Sequence, residues 1–259
     1  MPKNNFTLVI PARMHSTRLP QKMILKIGDL PMIVQTAKQA MKSNASKVIV
    51  ATDHEDIIKV CSEHGIEAVM TKFTHNSGAE RLVEVTNLLN LPDDEIIINV
   101  QGDEPLIDPS LINQLADFIL DKKTPIATIA HHITLEDEIF NPNIVKVVLD
   151  KDNNALYFSR ASIPFYRDGY TNRQEFKQPQ TLDVLRHIGI YAYNVGFLKQ
   201  YHQLANCPLE NVECLEQLRV LYNGYKIAVM TSDTTPHAGV DTLEDLERIR
   251  QLVNSKSSY

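Results

Sequence analysis

Three short stretches of this 259-residue chain carry the residue types of a polyphosphate and metal site. The first is Pro11-Ala-Arg-Met-His-Ser-Thr-Arg-Leu-Pro-Gln-Lys22, which packs Arg13, Arg18 and Lys22 with two hydroxyls into one connector after the apolar run Thr7-Leu8-Val9-Ile10. An Arg fork matches phosphate oxygens bidentately and Lys supplies a compact point charge, so the mixture suits a polyphosphate better than a lone carboxylate. The competing reading is a solvated basic loop.

The second stretch, Asn99-Val-Gln-Gly-Asp-Glu-Pro105, ends the apolar run Ile96-Ile97-Ile98. A carboxylate at the carboxyl end of a central strand faces the ligand crevice of an open α/β sheet. Mg²⁺ takes one or two protein carboxylates and fills its remaining positions with water and substrate phosphates. Asp103 is therefore the candidate metal ligand, Glu104 shapes the turn before Pro105, and the alternative is that Asp103 only caps a helix or bends the chain. The third stretch, Gly239-Val-Asp-Thr-Leu-Glu-Asp245, lies between the last strand-like run and the last helical pattern. Asp241 is either a second metal carboxylate or a cap, since Asp or Thr followed three residues on by an acid is a normal helix start. Acids at two strand ends with a cationic loop at a third describe a nucleoside triphosphate and metal site better than any one of them alone.

The elements that must hold these stretches are legible in the apolar pattern. Strand-like runs at Leu8–Ala12, Val48–Thr52, Ala68–Thr71, Ile96–Val100 and Ile126–Ile133 alternate with helix-spaced segments at Met32–Met41, Glu55–His64, Ala79–Leu89 and Pro109–Leu120. That alternation predicts right-handed βαβ units and a mostly parallel α/β sheet. Asp108-Pro109 supplies a cap followed by a first-turn proline. Beyond residue 140 the runs Ile144–Leu149, Ala155–Phe158 and Leu185–Tyr193 have few helices between them and predict an antiparallel lobe. Tyr166–Thr181 reads as a long loop. Helices over Val195–Leu204 and Glu210–Tyr222, a strand over Lys226–Thr231 and a helix over Leu243–Val253 complete the expectation.

Composition narrows the function classes. A formal net charge of −6 makes the basic loop a local feature of an acidic molecule, which favours small anions over nucleic acid. Cys61, Cys207 and Cys214 are odd in number and lack CxxC spacing, and no leader or long apolar span is present, so the expectation is a cytoplasmic protein with free thiols, no structural zinc and no membrane partner. Cys214 falls in a helical pattern and is expected to be a small buried residue.

A family resemblance rests on motifs that run through nearly the whole chain. In order they are PARMHSTRLPQK, His75-Asn-Ser-Gly-Ala-Glu-Arg-Leu82, VQGDEP, Phe140-Asn-Pro-Asn-Ile-Val-Lys-Val-Val148, Tyr157-Phe-Ser-Arg-Ala161, Arg186-His-Ile-Gly-Ile-Tyr191, Pro208-Leu-Glu with Leu215-Glu-Gln-Leu-Arg219, and Gly239 to Glu247. Together they resemble the 3-deoxy-manno-octulosonate cytidylyltransferase (CMP-Kdo synthetase) family. The chain departs from that family at Gln21-Lys22-Met23, where Gly-Lys-Pro is usual, and at Ala79, where Thr is common.

The resemblance implies a Rossmann-like three-layer nucleotidyltransferase fold of the nucleotide-diphospho-sugar transferase type. It implies one domain over residues 1–259, with about 1–133 and 225–259 as nucleotide-binding core and about 134–224 as a lobe for the sugar acid and for dimerisation. The implied reaction is transfer of CMP from CTP to Kdo with release of pyrophosphate, activating Kdo for lipopolysaccharide synthesis. Arg13, Lys22, Asp103 and Asp241 would be catalytic, the two acids holding Mg²⁺. Ala12, Arg13, Arg18, Lys22, Ser77, Gly78 and Gln101 would bind CTP, and Arg160, His187, Glu210 and Gln217 would bind Kdo, with Arg160 and His187 as the candidates for the cation and polar groups that an anionic sugar acid requires and Arg160 set against its carboxylate. A homodimer with its contact in about Asn141 to Tyr193 is expected.

Competing functions are a cytidylyltransferase for amino-Kdo or sialic acid, a sugar-1-phosphate nucleotidyltransferase, and a non-catalytic nucleotide-binding module on the same fold. A dinucleotide-binding dehydrogenase is disfavoured because no GxGxxG follows the first strand.

Overall fold

Val9, Ile10, Ile49, Val50, Ile97 and Ile98 lie on three neighbouring strands, and none of them exposes any surface. Continuous burial of β-branched residues marks strands covered on both faces. The computed structural model describes residues 6–75, 78–171, 183–234 and 239–256. They group into two units, one formed from Met1–Asp117, Ile190–His202 and Pro236–Tyr259 and the other from Phe118–Gly189 and Gln203–Thr235.

In the first unit, β1 (Phe6–Ala12) lies parallel to a neighbour on each side. After β1 comes a small hairpin of β2 (Lys26–Ile27) and β3 (Leu30–Pro31), then β4 (Lys47–Thr52), β5 (Glu67–Met70) and β6 (Ile96–Asn99). β4 pairs with β1 and β5, and β6 pairs with β1, so four parallel strands end together at Ala12, Thr52, Met70 and Asn99. Helices α1 (Met32–Ala40), α2 (Glu55–Glu63) and α3 (Gly78–Leu88) connect them. α1 buries Met32, Ile33, Thr36, Ala37 and Ala40 along one stripe at about the 3.6-residue period, and Val34 beside its start. The next helix, α4 (Pro109–Lys122), starts where Asp108 Oδ1 accepts the Ser110 N–H at 2.8 Å, as the Asp-Pro pair predicts.

The second unit contains β7 (Ile126–His132), α5 (Glu136–Phe140), β8 (Lys146–Leu149), β9 (Ala155–Ser159) and α6 (Arg167–Tyr170). β10 (Leu185–Asn194) follows; its first residues pair antiparallel with β8, while Tyr191 to Asn194, which group with the first unit, pair antiparallel with β6 of that unit. α7 (Val195–Gln200), α8 (Pro208–Glu213), α9 (Gln217–Tyr222), β11 (Ala228–Ser232) and α10 (Leu243–Lys256) end the chain. β8 and β9 form the antiparallel hairpin expected there, but β11 and β7 pair parallel and group with this unit rather than with the first.

Two local expectations are corrected. The helix expected over Glu210–Tyr222 is two helices, because Cys214 closes α8 in the left-handed region at φ +53°, and Cys214 is exposed rather than buried. The long loop expected from Tyr166 opens with α6 instead: Tyr170 packs edge-on against Phe140 and Tyr166, beside Ile133, Ile139 and Val184. The remainder of that expected loop, from residue 172 to Thr181, lies outside the described residues.

Candidate active site

The ammonium of Lys22 is the centre of a charged knot at the carboxyl edge of the first unit's sheet. It donates to Asp103 Oδ2 at 2.5 Å, to Asp241 Oδ1 at 2.9 Å and to the Val240 carbonyl at 3.1 Å. Its side chain is only 10% exposed. Burial alone would lower its pKa, yet the Asp103 charge and hydrogen bond, joined by those of Asp241, outweigh burial and raise it. Arg18 closes the other side, its guanidinium 2.9 Å from Asp241 Oδ2, but its side chain is 60% exposed.

Local chain chemistry brings these groups together. Lys22 opens a short 3₁₀ turn, Lys22–Ile24, entered through Gln21 in the left-handed region at φ +55°. The resembled family carries glycine there, the residue that adopts this conformation without strain. Asp103 follows Gly102, where a Cβ would stand 2.9 Å from the Pro11 carbonyl oxygen and 3.0 Å from Met23 Sδ. Only glycine lets the acid-bearing turn come this close to the end of β1. The Thr36 hydroxyl then fixes the turn by donating to the Gly102 carbonyl at 2.9 Å.

Asp241 arrives by a different route. The Val240 N–H donates to the Asp103 carbonyl at 2.9 Å, and a Cβ at Gly239 would lie 3.3 Å from that same oxygen. The cap of α10 is Thr242, not Asp241: Thr242 Oγ1 accepts the Asp245 N–H at 3.2 Å while Asp245 Oδ2 accepts the Thr242 N–H at 3.1 Å. The Asp241 carboxylate is therefore directed to cations instead of to a helix end.

Of the remaining nucleotide candidates, Ala12 is fully buried at the end of β1, and Arg13 next to it has no ion-pair partner among the described residues. Gly78 begins α3, and Gln101 accepts the Glu104 N–H on its carbonyl at 3.2 Å in the acid-bearing turn. Ser77 lies outside the described residues.

A buried pair that the residue types did not single out supports this edge. Arg81, with no exposed surface, places NH2 2.9 Å from Asp53 Oδ2 and also bonds Thr71 Oγ1. Burial pulls its pKa down, and Asp53 opposes that fall. Asp53 Oδ1 in turn accepts the Met14 N–H at 3.4 Å, so this pair reaches the cationic loop from the end of β4. The signal was present in the quoted motif ending Glu80-Arg81-Leu82, but its partner lies 28 positions away.

The four acceptor candidates all lie on the second unit. Arg160 is held by backbone: Nε donates to the Glu213 carbonyl at 2.7 Å and NH1 to the Pro142 carbonyl at 3.0 Å. Glu213, another residue without a sequence signal, accepts the Arg160 N–H at 2.9 Å and the Ser159 hydroxyl at 2.6 Å. Lys146, fully buried, ties the same corner through the carbonyls of Asn141, Ile144 and Arg160 at 3.0, 2.7 and 2.8 Å. His187 packs edge-on against Phe158 and shares a 2.9 Å hydrogen bond between Nε2 and Thr128 Oγ1. Burial pushes its pKa down to about 3. Burial thus disfavours the charged imidazole, so His187 can offer a hydrogen-bonding group here more readily than a cation. Glu210 spends both carboxylate oxygens on Arg219, at 2.6 and 2.8 Å, and Gln217 is buried at the start of α9.

The donor set at Lys22 has the chemistry of a hard-cation site. Two carboxylate oxygens and one carbonyl converge on a single positive centre, and Mg²⁺ is held by few protein oxygens of this kind. Among the described residues no group of three or more His, Cys, Asp or Glu could hold a metal, so any metal here would take most of its ligands from elsewhere.

Comparison with known proteins gives the family. The sequence family described as Cytidylyltransferase matches residues 7–227. A 3-deoxy-manno-octulosonate cytidylyltransferase from Neisseria meningitidis serogroup C is 54% identical over 95% of this chain and 97% of its own. One from Haemophilus influenzae is 50% identical over 96% and 98%. Among solved structures, a CMP:2-keto-3-deoxy-manno-octonic acid synthetase complexed with CTP superposes with a TM-score of 0.86 at 37% identity, covering 97% of this chain and 99% of that one.

Proposed function

Because the chain belongs to the cytidylyltransferase family, we infer that it transfers CMP from CTP to 3-deoxy-D-manno-octulosonate, releasing pyrophosphate and giving the CMP-Kdo used in lipopolysaccharide synthesis. The observation that carries the reading beyond the family is the convergence of Lys22, Asp103 and Asp241 at the ends of strands whose neighbours include the cationic Arg13 and Arg18.

In the reaction the sugar's anomeric hydroxyl oxygen attacks the α-phosphorus in line, a new P–O bond forms, the bond from the α-phosphorus to the bridging oxygen breaks to release pyrophosphate, and the hydroxyl proton passes to solvent. The protein has little covalent work to do, so positioning and charge neutralisation carry the rate. Asp103 and Asp241 would hold Mg²⁺, which when bound neutralises phosphate charge and acidifies the attacking hydroxyl. Arg13, Arg18 and Lys22 then neutralise the triphosphate and stabilise the departing pyrophosphate. Ala12, Ser77, Gly78 and Gln101 receive the nucleoside. Arg160 faces the sugar-acid carboxylate and His187 acts as a hydrogen-bonding group, while Gln217 and the remaining lone pairs of the Glu210 carboxylate, whose oxygens Arg219 already holds, are the groups assigned to sugar hydroxyls.

We further propose that the protein works in the cytoplasm as a homodimer. Leu156 and Phe165, 62% and 63% exposed on the second unit, are apolar surface available for such a contact. No helix of the described residues is long and apolar enough to cross a membrane.

Pyrophosphate release, measured with CTP, UTP or GTP against Kdo, amino-Kdo, sialic acid or a hexose 1-phosphate, with and without Mg²⁺, tests donor, acceptor and metal in one experiment. Turnover with CTP and Kdo only in the presence of Mg²⁺ is expected. Faster turnover with another acceptor would replace Kdo, and nucleotide binding without any turnover would favour the non-catalytic reading.

A further inference from the structure

Three of the four carboxylate oxygens of Asp103 and Asp241 carry a cationic partner, and two of them, one from each acid, share the Lys22 ammonium. We propose that Lys22 is a tethered counter-cation that closes the Asp103–Asp241 pair to free divalent metal until a triphosphate draws the ammonium away, so that metal enters with or after the nucleotide.

This rests on the metal role assigned to the two acids above and adds an order of events to it. A divalent cation seated on Asp103 Oδ2 and Asp241 Oδ1 would compete with the ammonium for the oxygens that Lys22 holds at 2.5 and 2.9 Å. Two cations on these oxygens would repel one another, and the Lys22 end of the contact, 10% exposed, is screened little by solvent. The two cations are therefore exclusive occupants. Lys22 has the advantage when no nucleotide is present, because it is already in place through its own backbone and keeps a third acceptor, the Val240 carbonyl, at 3.1 Å.

Arg18 is not an equivalent blocker. It takes the other oxygen of Asp241, and its side chain, 60% exposed, is screened by solvent, whereas that of Lys22 is 10% exposed. A triphosphate changes the balance by offering Lys22 new anionic oxygens and offering the metal additional ligands. Binding of metal and CTP then becomes mutually supportive, and by linkage each raises the affinity of the other by the same factor.

The test is Mn²⁺ binding without nucleotide, followed by the free-ion electron paramagnetic resonance signal. Lys22→Gln is expected to bind Mn²⁺ at least tenfold more tightly than the unaltered protein, Arg18→Gln less than threefold more tightly, and the double variant Lys22→Gln with Asp103→Asn should lose the gain. CTP should then increase Mn²⁺ affinity more in the unaltered protein than in Lys22→Gln. Equal or weaker Mn²⁺ binding by Lys22→Gln overturns the proposal while leaving the metal pair standing, provided that Asp103→Asn weakens the Mn²⁺ bound in the presence of CTP. If Asp103→Asn has no effect there, the metal assignment fails and the proposal with it. Should Lys22→Gln not fold, the ammonium resonance of Lys22 in ¹⁵N-lysine-labelled protein answers the same question: CTP without metal must shift it and CMP must not, and a resonance unmoved by CTP rejects the exchange.

Discussion

Thr242 and Asp245 cap α10 reciprocally, the hydroxyl of one accepting the N–H of the other at 3.2 Å and the carboxylate accepting in return at 3.1 Å. This division of labour leaves the neighbouring Asp241 carboxylate for Lys22 and Arg18. Thr242→Ala should lower unfolding free energy by about 1 kcal/mol with modest loss of turnover. Asp241→Asn and Asp103→Asn should do the reverse, cutting pyrophosphate release by about a hundredfold or more at a nearly unchanged melting temperature. Near-normal release from either Asn variant at saturating Mg²⁺ removes that residue from the metal pair.

Arg18 is exposed and its ion pair is single, so its removal should alter stability by less than about 1 kcal/mol. Its assigned partner is the outer phosphates. Calorimetry on Arg18→Ala should therefore find CTP binding weakened far more than CMP binding, with added salt narrowing the gap. Equal losses for the two nucleotides would move Arg18 away from the β and γ phosphates.

Asp53 and Arg81 form a pair in which the guanidinium has no exposed surface. Deleting one partner leaves an uncompensated buried charge, so Asp53→Ala should cost about 3–5 kcal/mol in urea unfolding. Arg81→Met, which removes the buried charge itself, should cost less in stability. Because Asp53 also accepts the Met14 N–H at 3.4 Å, both variants should additionally weaken CTP binding. An Asp53→Ala protein as stable as Arg81→Met would contradict the charge argument.

Arg160 is oriented by two backbone carbonyls at 2.7 and 3.0 Å, an arrangement that leaves its charge uncompensated by those partners. Arg160→Ala should raise the KM for Kdo about tenfold or more while CTP affinity stays near normal. Steady-state kinetics with each substrate varied in turn gives the answer. An unchanged KM for Kdo would make Arg160 purely structural.

His187 predicts a particular acid limb. Its folded pKa, about 3, lies below the ordinary 6.5, so between those values the unfolded chain binds a proton that the folded protein refuses. Stability must therefore fall as pH drops through 6.5, by up to about 1.4 kcal/mol per pH unit, and level off beneath the folded value. His187→Gln, which keeps a hydrogen-bonding group but cannot titrate, should flatten this limb. Urea midpoints of both proteins at pH 7.5 and 5 test it, and parallel losses would assign the acid sensitivity to other groups.

The parallel core, the cationic loop and the two acids are legible in the sequence because each has a short-range signature. β-branched runs of four to six residues cannot hide from water except in covered strands, and Asp103 and Asp241 are marked by glycines and strand ends within a few positions. Family motifs carried the chemistry further, to Arg160 and His187. Tertiary structure decided which cap Asp241 is not, since Asp241 and Thr242 are both acceptable helix starts until α10 is placed. It also decided that Cys214 breaks a helix, that burial disfavours a charged His187, and that Asp53 meets Arg81 across 28 positions. Above all, it decided that Lys22 bridges two carboxylates 81 and 219 residues away. Charge state, burial and pairing are properties of the space around a side chain, and that space is filled by residues that local sequence does not name.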